Sequence, residues 1–333
     1  MVSRAQWAKW PVADILAEYQ INWRRWEEVG PCLKVTTPRG LLRLKRFAYS
    51  RDEFPFVYDL AQHLAHRGFS NPERILTTCE GQLGVITEHG FFYLAHWQEG
   101  KAGLGKGANR VPLIEVGELL GSLHQESKGF HPQDGVHVAR HQWGVWPSKL
   151  DSRYRDLVYF SQLARQGGSP FDYLFAQGAS DFLDHGQRVL ERLEQQVEIY
   201  HGIVGLDQQD QCACHRDFIP QNLVLTPRKG LALIDFDNAA CIERIDDIAK
   251  MIRWFSSWQS ESAKELLFGY QRRIPLQDEE LQLVWTFLEF PMEYWQLGRH
   301  AYLRGRARLG ALRRWIAASC GKERFLAELK KVK

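Results

Sequence analysis

The sequence predicts an α+β chain of two unequal lobes, a small antiparallel β-rich lobe followed by a larger, mainly helical one. Three observations carry this expectation. Residues 22–47 fall into short apolar runs separated by the turn signals Gly30-Pro31 and Thr37-Pro38-Arg39-Gly40. A second pair of such runs surrounds His89-Gly90. After about residue 110 the apolar residues recur mostly at the three-to-four spacing of helices. The glycine-rich "EGKAGLGKGANR" lies between the two patterns and reads as a linker. The lobes are assigned to residues 1–95 and 96–333.

Each element follows in order. The first runs, "NWRRWEEVGPCLKVTTPRGLLRLKRF", give three successive antiparallel strands joined by tight turns. In "PFVYDLAQHLAHRGF", Phe56, Leu60 and Leu64 with Val57 and Ala61 mark one helical face, started by Pro55 and stopped near Gly68. Two more strands are expected in "GQLGVITEHGFFYLAHW". Helices are then expected in "PLIEVGELLGSLHQ", "DSRYRDLVYFSQLARQ", "SDFLDHGQRVLERLEQQVEIY", "IDDIAKMIRWFSSW", "DEELQLVWTFLEF" and "YWQLGRHAYLRG". Strand-like islands, "QCACHRDF" with "NLVLT" and then "LALIDFD", interrupt them.

Composition narrows the function classes. With 333 residues, 44% of them hydrophobic and 25% charged, the chain can build one large domain or two lobes with real cores. A net charge of only +3 creates no strong field for a polyanion, so nucleic acid is not an expected partner. No apolar run reaches the roughly eighteen residues of a membrane span, and "MVSRAQWAKWPVADI" lacks the apolar centre of a secretory leader. A cytoplasmic location is the corresponding expectation. The six cysteines include one close pair, Cys212 and Cys214, whose CxC spacing fits buried reduced thiols better than a zinc site.

Chemistry concentrates in "HRDFIPQN" at 215–222 and "IDFD" at 234–237. Transfer of a phosphoryl group needs an oriented hydroxyl, compensation of phosphate charge and metal ions that bridge the moving group. Asp217 on a loop can orient or deprotonate a hydroxyl. Asn222, five residues later, and Asp235 at a strand end can bind magnesium, and Asp237 can contribute a second carboxylate at the metal. His215 is expected to hold the loop by hydrogen bonding.

These segments, with "LLRLKRF", "FFYLAHWQEG", "WPSKLDSRYRDLVYF" and "LEFPMEYWQL" in the same order, resemble the aminoglycoside-phosphotransferase and choline-kinase branch of the protein-kinase-like superfamily. Within that branch the chain most resembles the spore-coat CotS kinases, along most of its length. The resemblance implies a protein-kinase-like bilobal fold with ATP and Mg2+ in the cleft between lobes. It makes Lys45 the residue on the nucleotide's α and β phosphates, and the backbone of Ala95, His96 and Trp97 the adenine-binding hinge. It also implies an unidentified hydroxyl acceptor, small molecule or sugar, with spore-coat proteins as possible partners and the spore coat as a possible location.

Two features favour a small acceptor over a protein. Ile219 stands where protein-serine kinases typically carry lysine, and only eleven residues separate Asp235 from Asp247, too few for a long activation segment. Arg216 occupies a position that is usually glycine in the small-molecule branch, and a structural salt bridge is its expected role. Three departures bear on the nucleotide side. No glycine-rich phosphate cover is found. Arg43 shares a face with Lys45, where it either fills the adenine pocket or snorkels out of it. An acidic partner for Lys45 is sought in Glu53 or Asp59. These departures keep open a second class of function, a degenerate kinase fold serving as a binding or assembly component of the spore coat.

Overall fold

A computed structural model of the protein describes residues 10–103, 112–132, 138–228 and 230–329. Most of the expected linker and the N-terminal residues 1–9 lie outside the described residues. The first lobe begins with a short helix α1 (Val12–Ala17). Three strands follow, β1 (Arg25–Val29), β2 (Cys32–Thr37) and β3 (Gly40–Arg46), then helix α2 (Phe54–His66). Strands β4 (Ile75–Leu76), β5 (Val85–Thr87) and β6 (Gly90–His96) complete an antiparallel sheet in the order β1-β2-β3-β6-β4, with β5 paired to β6.

Alternation along the central strands sets the two faces. Leu42 and Leu44 of β3, with Phe92 and Leu94 of β6, join α1 in a small core on one side. Arg43 and Lys45 face the other side, opposite Ala95 and Tyr93 in the β3–β6 register. That side also packs on α2, whose Phe54 lies against the Tyr93 ring at 4.6 Å between centroids.

The second lobe starts with the two-residue strand β7 (Lys101–Ala102) and helices α3 (Leu113–Ser127), α4 (Trp146–Gln166), α5 (Pro170–Gln195) and α6 (Val197–Gln209). A hairpin of β8 (Leu223–Leu225) and β9 (Leu231–Leu233) takes β7 as its third strand. Helices α7 (Ile245–Phe255), α8 (Ser260–Gln271), α9 (Asp278–Glu289), α10 (Met292–Gly298) and α11 (Leu309–Leu329) finish the lobe. Ser169 caps α5 through a reciprocal box with Asp172. Gly117 lets α3 meet α8 at backbone distance, since a Cβ there would stand 1.9 Å from the Leu266 carbonyl oxygen. One large hydrophobic core runs from α2 through α3 and the α4–α5 pair to α9. Phe56 of α2 meets Phe130, beyond α3, edge to face at 5.2 Å.

The α+β two-lobed class stands as expected, and the structure corrects two details. "QCACHRDF" is not a strand: its only ladder contact is a bridge between Cys214 and Ala240. Arg216 takes a left-handed φ of +64°, which no strand accommodates. The single helix expected over "SDFLDHGQRVLERLEQQVEIY" is divided at Gln196, where φ −99° and ψ 11° end α5 before α6 begins. Of the cysteines, Cys32, Cys212, Cys214 and Cys241 are buried thiols, whereas Cys79 and Cys320 are exposed. No described helix is long and apolar enough to cross a membrane.

Candidate active site

The loop that carries Asp217 is held from α7. Asp247, fully buried in the first turn of that helix, accepts the backbone N–H of His215 at 2.7 Å and of Arg216 at 2.8 Å. Two N–H groups that would be orphaned by the irregular backbone are thus satisfied by one carboxylate. Burial works to raise the Asp247 carboxyl, but His124 and Lys250 offset it and hold it below the usual carboxylate range.

The His215 ring is hydrogen-bonded at both nitrogens. Its Nδ1 accepts the Asp217 N–H at 3.2 Å, so Nε2 carries the proton and donates to the Ile234 carbonyl at 3.1 Å. Burial depresses its basicity and keeps the ring neutral near neutral pH. The same histidine therefore ties the catalytic loop to the end of β9, where Asp235 begins. Asn222 closes the loop from within, its Nδ2 donating to the Asp217 carbonyl at 2.9 Å and to Asp217 Oδ2 at 3.0 Å.

Lys45 reaches across the lobes. Its ammonium lies 2.5 Å from Asp235 Oδ1 and 2.9 Å from Asp237 Oδ2. The acidic partner sought in Glu53 or Asp59 is supplied instead by the "DFD" turn. Glu53 is 2.6 Å from Arg140, another lobe-bridging residue, which donates to the carbonyl of Asp237 at 2.7 Å. Asp235 has a left-handed φ of +72°, which turns its carboxylate into the cleft. Burial opposes its ionisation, yet Lys45 and Arg43 more than compensate and keep it below the usual range. Asp237 is more enclosed: it accepts from the Tyr93 hydroxyl at 2.8 Å and faces Lys45 rather than the open cleft.

The cleft is a cavity of about 460 Å³ between the sheet and the β8–β9 hairpin, bordered by Cys32, Lys45, Glu73, Asn222, Val224 and Asp235. That volume lies within the usual range for small-molecule sites. Arg43 fills part of the wall and does not snorkel out. Its guanidinium pairs with Glu73 and donates to the Tyr93 hydroxyl at 2.9 Å. Of the three hinge residues, His96 and Trp97 border the cleft and Ala95 is buried in the sheet. The N–H groups of His96 and Trp97 already donate to the carbonyls of Arg74 and Leu41. Gln98 and Gly100, just beyond them, also border the cavity. Gly100 must be glycine there, because a Cβ would stand 2.3 Å from the Leu225 carbonyl oxygen and its φ is +137°.

Glu73 and Tyr93 were not foreseen. Tyr93 is signalled only by its cross-strand position opposite Lys45, and Glu73, in the loop before β4, carries no sequence signal. The donor set suits a hard dication. Asn222 spends its Nδ2 on Asp217 and makes no hydrogen bond through Oδ1 among the described residues, and Asp235 adds a carboxylate across the same cavity.

The fold is that of known phosphotransferases. An aminoglycoside phosphotransferase from Alicyclobacillus acidocaldarius superposes with a TM-score of 0.80 at 21% identity, covering 99% of this chain and 98% of its own. A microcompartment-associated aminopropanol kinase gives 0.61 at 17% identity, with 94% and 96% covered. A spectinomycin phosphotransferase in complex with ADP and spectinomycin gives 0.58 at 13% identity, with 89% and 90% covered. A family profile described as the phosphotransferase enzyme family matches residues 32–281, which hold β2 to β6 of the sheet, the loop that carries Asp217 and the "DFD" turn; the chain belongs to that family.

Proposed function

We propose that this phosphotransferase uses ATP with Mg2+ to phosphorylate a hydroxyl of a small molecule or sugar, as a kinase of the spore-coat CotS type. The observation that supports this most is that Lys45 and Asp235, paired across the lobes, border one cavity with Asn222, which in turn hydrogen-bonds to Asp217. ADP bound to the spectinomycin enzyme supports the choice of nucleotide. The lobe division is proposed at residues 95 and 96.

In this reading the acceptor hydroxyl oxygen bonds to the γ-phosphorus, the bridging bond to the β-phosphate breaks, and ADP leaves. Asp217 orients the hydroxyl and takes its proton. Lys45 exchanges Asp235 for the α and β phosphates and keeps its contact with Asp237. Asn222 and Asp235 would hold magnesium, which when bound neutralises charge on the phosphates; Asp237 holds Lys45 and Tyr93 in register behind them.

A scaffold reading draws on Arg43 in the cleft wall and on the engaged N–H groups of His96 and Trp97. Thermal shift with ATP plus magnesium, and with ATP alone, separates the two. The enzyme should be stabilised, most with both present, and should lose turnover in Asp217→Ala and Asp235→Ala. Absence of any shift, with coat association kept in both variants, would establish the scaffold.

A further inference from the structure

Beside the catalytic loop lies a second, smaller cavity of about 110 Å³, whose charged lining is almost wholly basic. Lys149, Arg153, Arg216, Lys250 and Arg253 border it against one carboxylate, Asp246. Two of these cations are already satisfied: Lys250 holds Asp246 at 2.5 Å and Arg253 holds Glu293 at 2.7 Å. Among the described residues Lys149 donates only to the neutral Gln142 amide, at 2.9 Å. Arg153 stacks 4.8 Å from the Trp295 ring centroid and has no hydrogen bond or ion pair among the described residues. Arg216 has a fully enclosed Nε without a hydrogen-bond partner among the described residues. The salt bridge expected for Arg216 is absent among the described residues.

Such an excess is costly without a counter-ion, because each half-buried cation is partly desolvated and repels the others. Its effect is visible in the lysine. Burial, then Arg216, pushes the Lys149 ammonium down to about 8, and Arg153 is likewise pushed down to about 10. Arg216 adds a conformational cost, since it sits at φ +64°, a backbone that favours glycine. That strained residue immediately precedes Asp217, so the cavity and the catalytic carboxylate share one loop.

We infer that this cavity binds an anionic group, carboxylate or phosphate, of the hydroxyl compound that the enzyme phosphorylates. This extends the proposed function by naming the substrate class. The amino-bearing compounds named for the aminoglycoside and aminopropanol enzymes would be repelled here. The volume admits one compact anion, and the Trp146 and Trp295 rings wall it for an apolar or ring-shaped body. Forked guanidinium donors at Arg153 and Arg216 suit planar or tetrahedral oxyanions.

Calorimetric titration of the full chain at neutral pH and constant ionic strength tests this with four matched probes: glycerol phosphate, glycerate, glycerol and aminopropanediol. Both anions should bind and the neutral and amine probes should not; the stronger anion identifies phosphate or carboxylate as the preferred group. Joint Lys149→Gln and Arg153→Gln substitution should weaken the anions by about tenfold or more, whereas Lys45→Met should leave them unchanged. Arg216→Gly should also weaken them while keeping or raising the melting temperature. The inference is overturned if the amine binds better than the anions, if neither anion binds, if the double variant keeps full affinity, or if Lys45→Met abolishes binding. ATP–magnesium binding is titrated separately: its failure would defeat the phosphotransferase mechanism, not the anion site.

Discussion

Replacing Arg43 by methionine keeps most of the side-chain volume and removes the charge. Glu73 would then keep a carboxylate only 4% exposed, with a long 3.4 Å contact from the Phe236 N–H as its remaining bond. Tyr93 would lose the donor that reaches its hydroxyl at 2.9 Å. Removing one partner of a buried ion pair costs about 3–5 kcal/mol, because the other is left charged and dry. At about 2 °C per kcal/mol for a chain of this size, the melting temperature should fall by about 6–10 °C. Adding Glu73→Gln should recover about 2 kcal/mol by removing the stranded charge, a coupling that a double-mutant cycle in urea measures directly. A single-variant loss below about 1 kcal/mol, or a double variant less stable than the single, would refute the claim that Glu73 depends on Arg43.

Two further outcomes follow from the geometry. Gly117→Ala should destabilise by about 2 kcal/mol or more, since overpacking against the Leu266 carbonyl outweighs the helix propensity of alanine. Gly205→Ala on α6, where a Cβ meets nothing within 4 Å, should instead stabilise by up to about 1 kcal/mol, and chemical denaturation compares the two. Sulfate, which stays a dianion throughout, should lose affinity as pH rises through about 8. Lys149 is charged below that value and neutral above it, with Arg216, Arg153 and Lys250 opposing its charge and Asp246 favouring it. The pH dependence should vanish in Lys149→Gln, and a flat profile in the unsubstituted protein would count against Lys149 as an anion contact.

Much of this architecture was legible because it is written in local pattern. The β1–β3 meander, α2 from Phe54 and the β8–β9 hairpin follow from turn residues and apolar spacing. The loop residues Asp217 and Asn222 were legible through their separation, which the hydrogen bonds between them explain. What escaped the sequence depends on distant segments meeting. Glu73 reaches Arg43 only because β4 joins the sheet beside β6, and the acids found for Lys45 stand 190 and 192 positions away. Arg216 gave a misleading signal, since an arginine within a kinase-like tripeptide suggests a salt bridge and only its surroundings reveal an unanswered charge. The mistaken strand over "QCACHRDF" has a similar origin: apolar residues there are buried in an irregular loop whose N–H groups a side chain satisfies.

The continuity of the large core through α2 has a consequence for how the molecule can be divided. Phe56 and Leu60 belong in sequence to the lobe with the sheet, yet they share a core with α3 and the helices behind it, and His63 reaches the Glu126 carbonyl at 3.1 Å. Cutting the chain at residue 95 would strip α2 of that covering and expose the part of its apolar face that turns away from the sheet, Phe56 included. The two lobes should therefore unfold together. A fragment ending there should aggregate instead of forming a soluble sheet lobe, and amide exchange in α2 should track that of α3 more closely than that of β1.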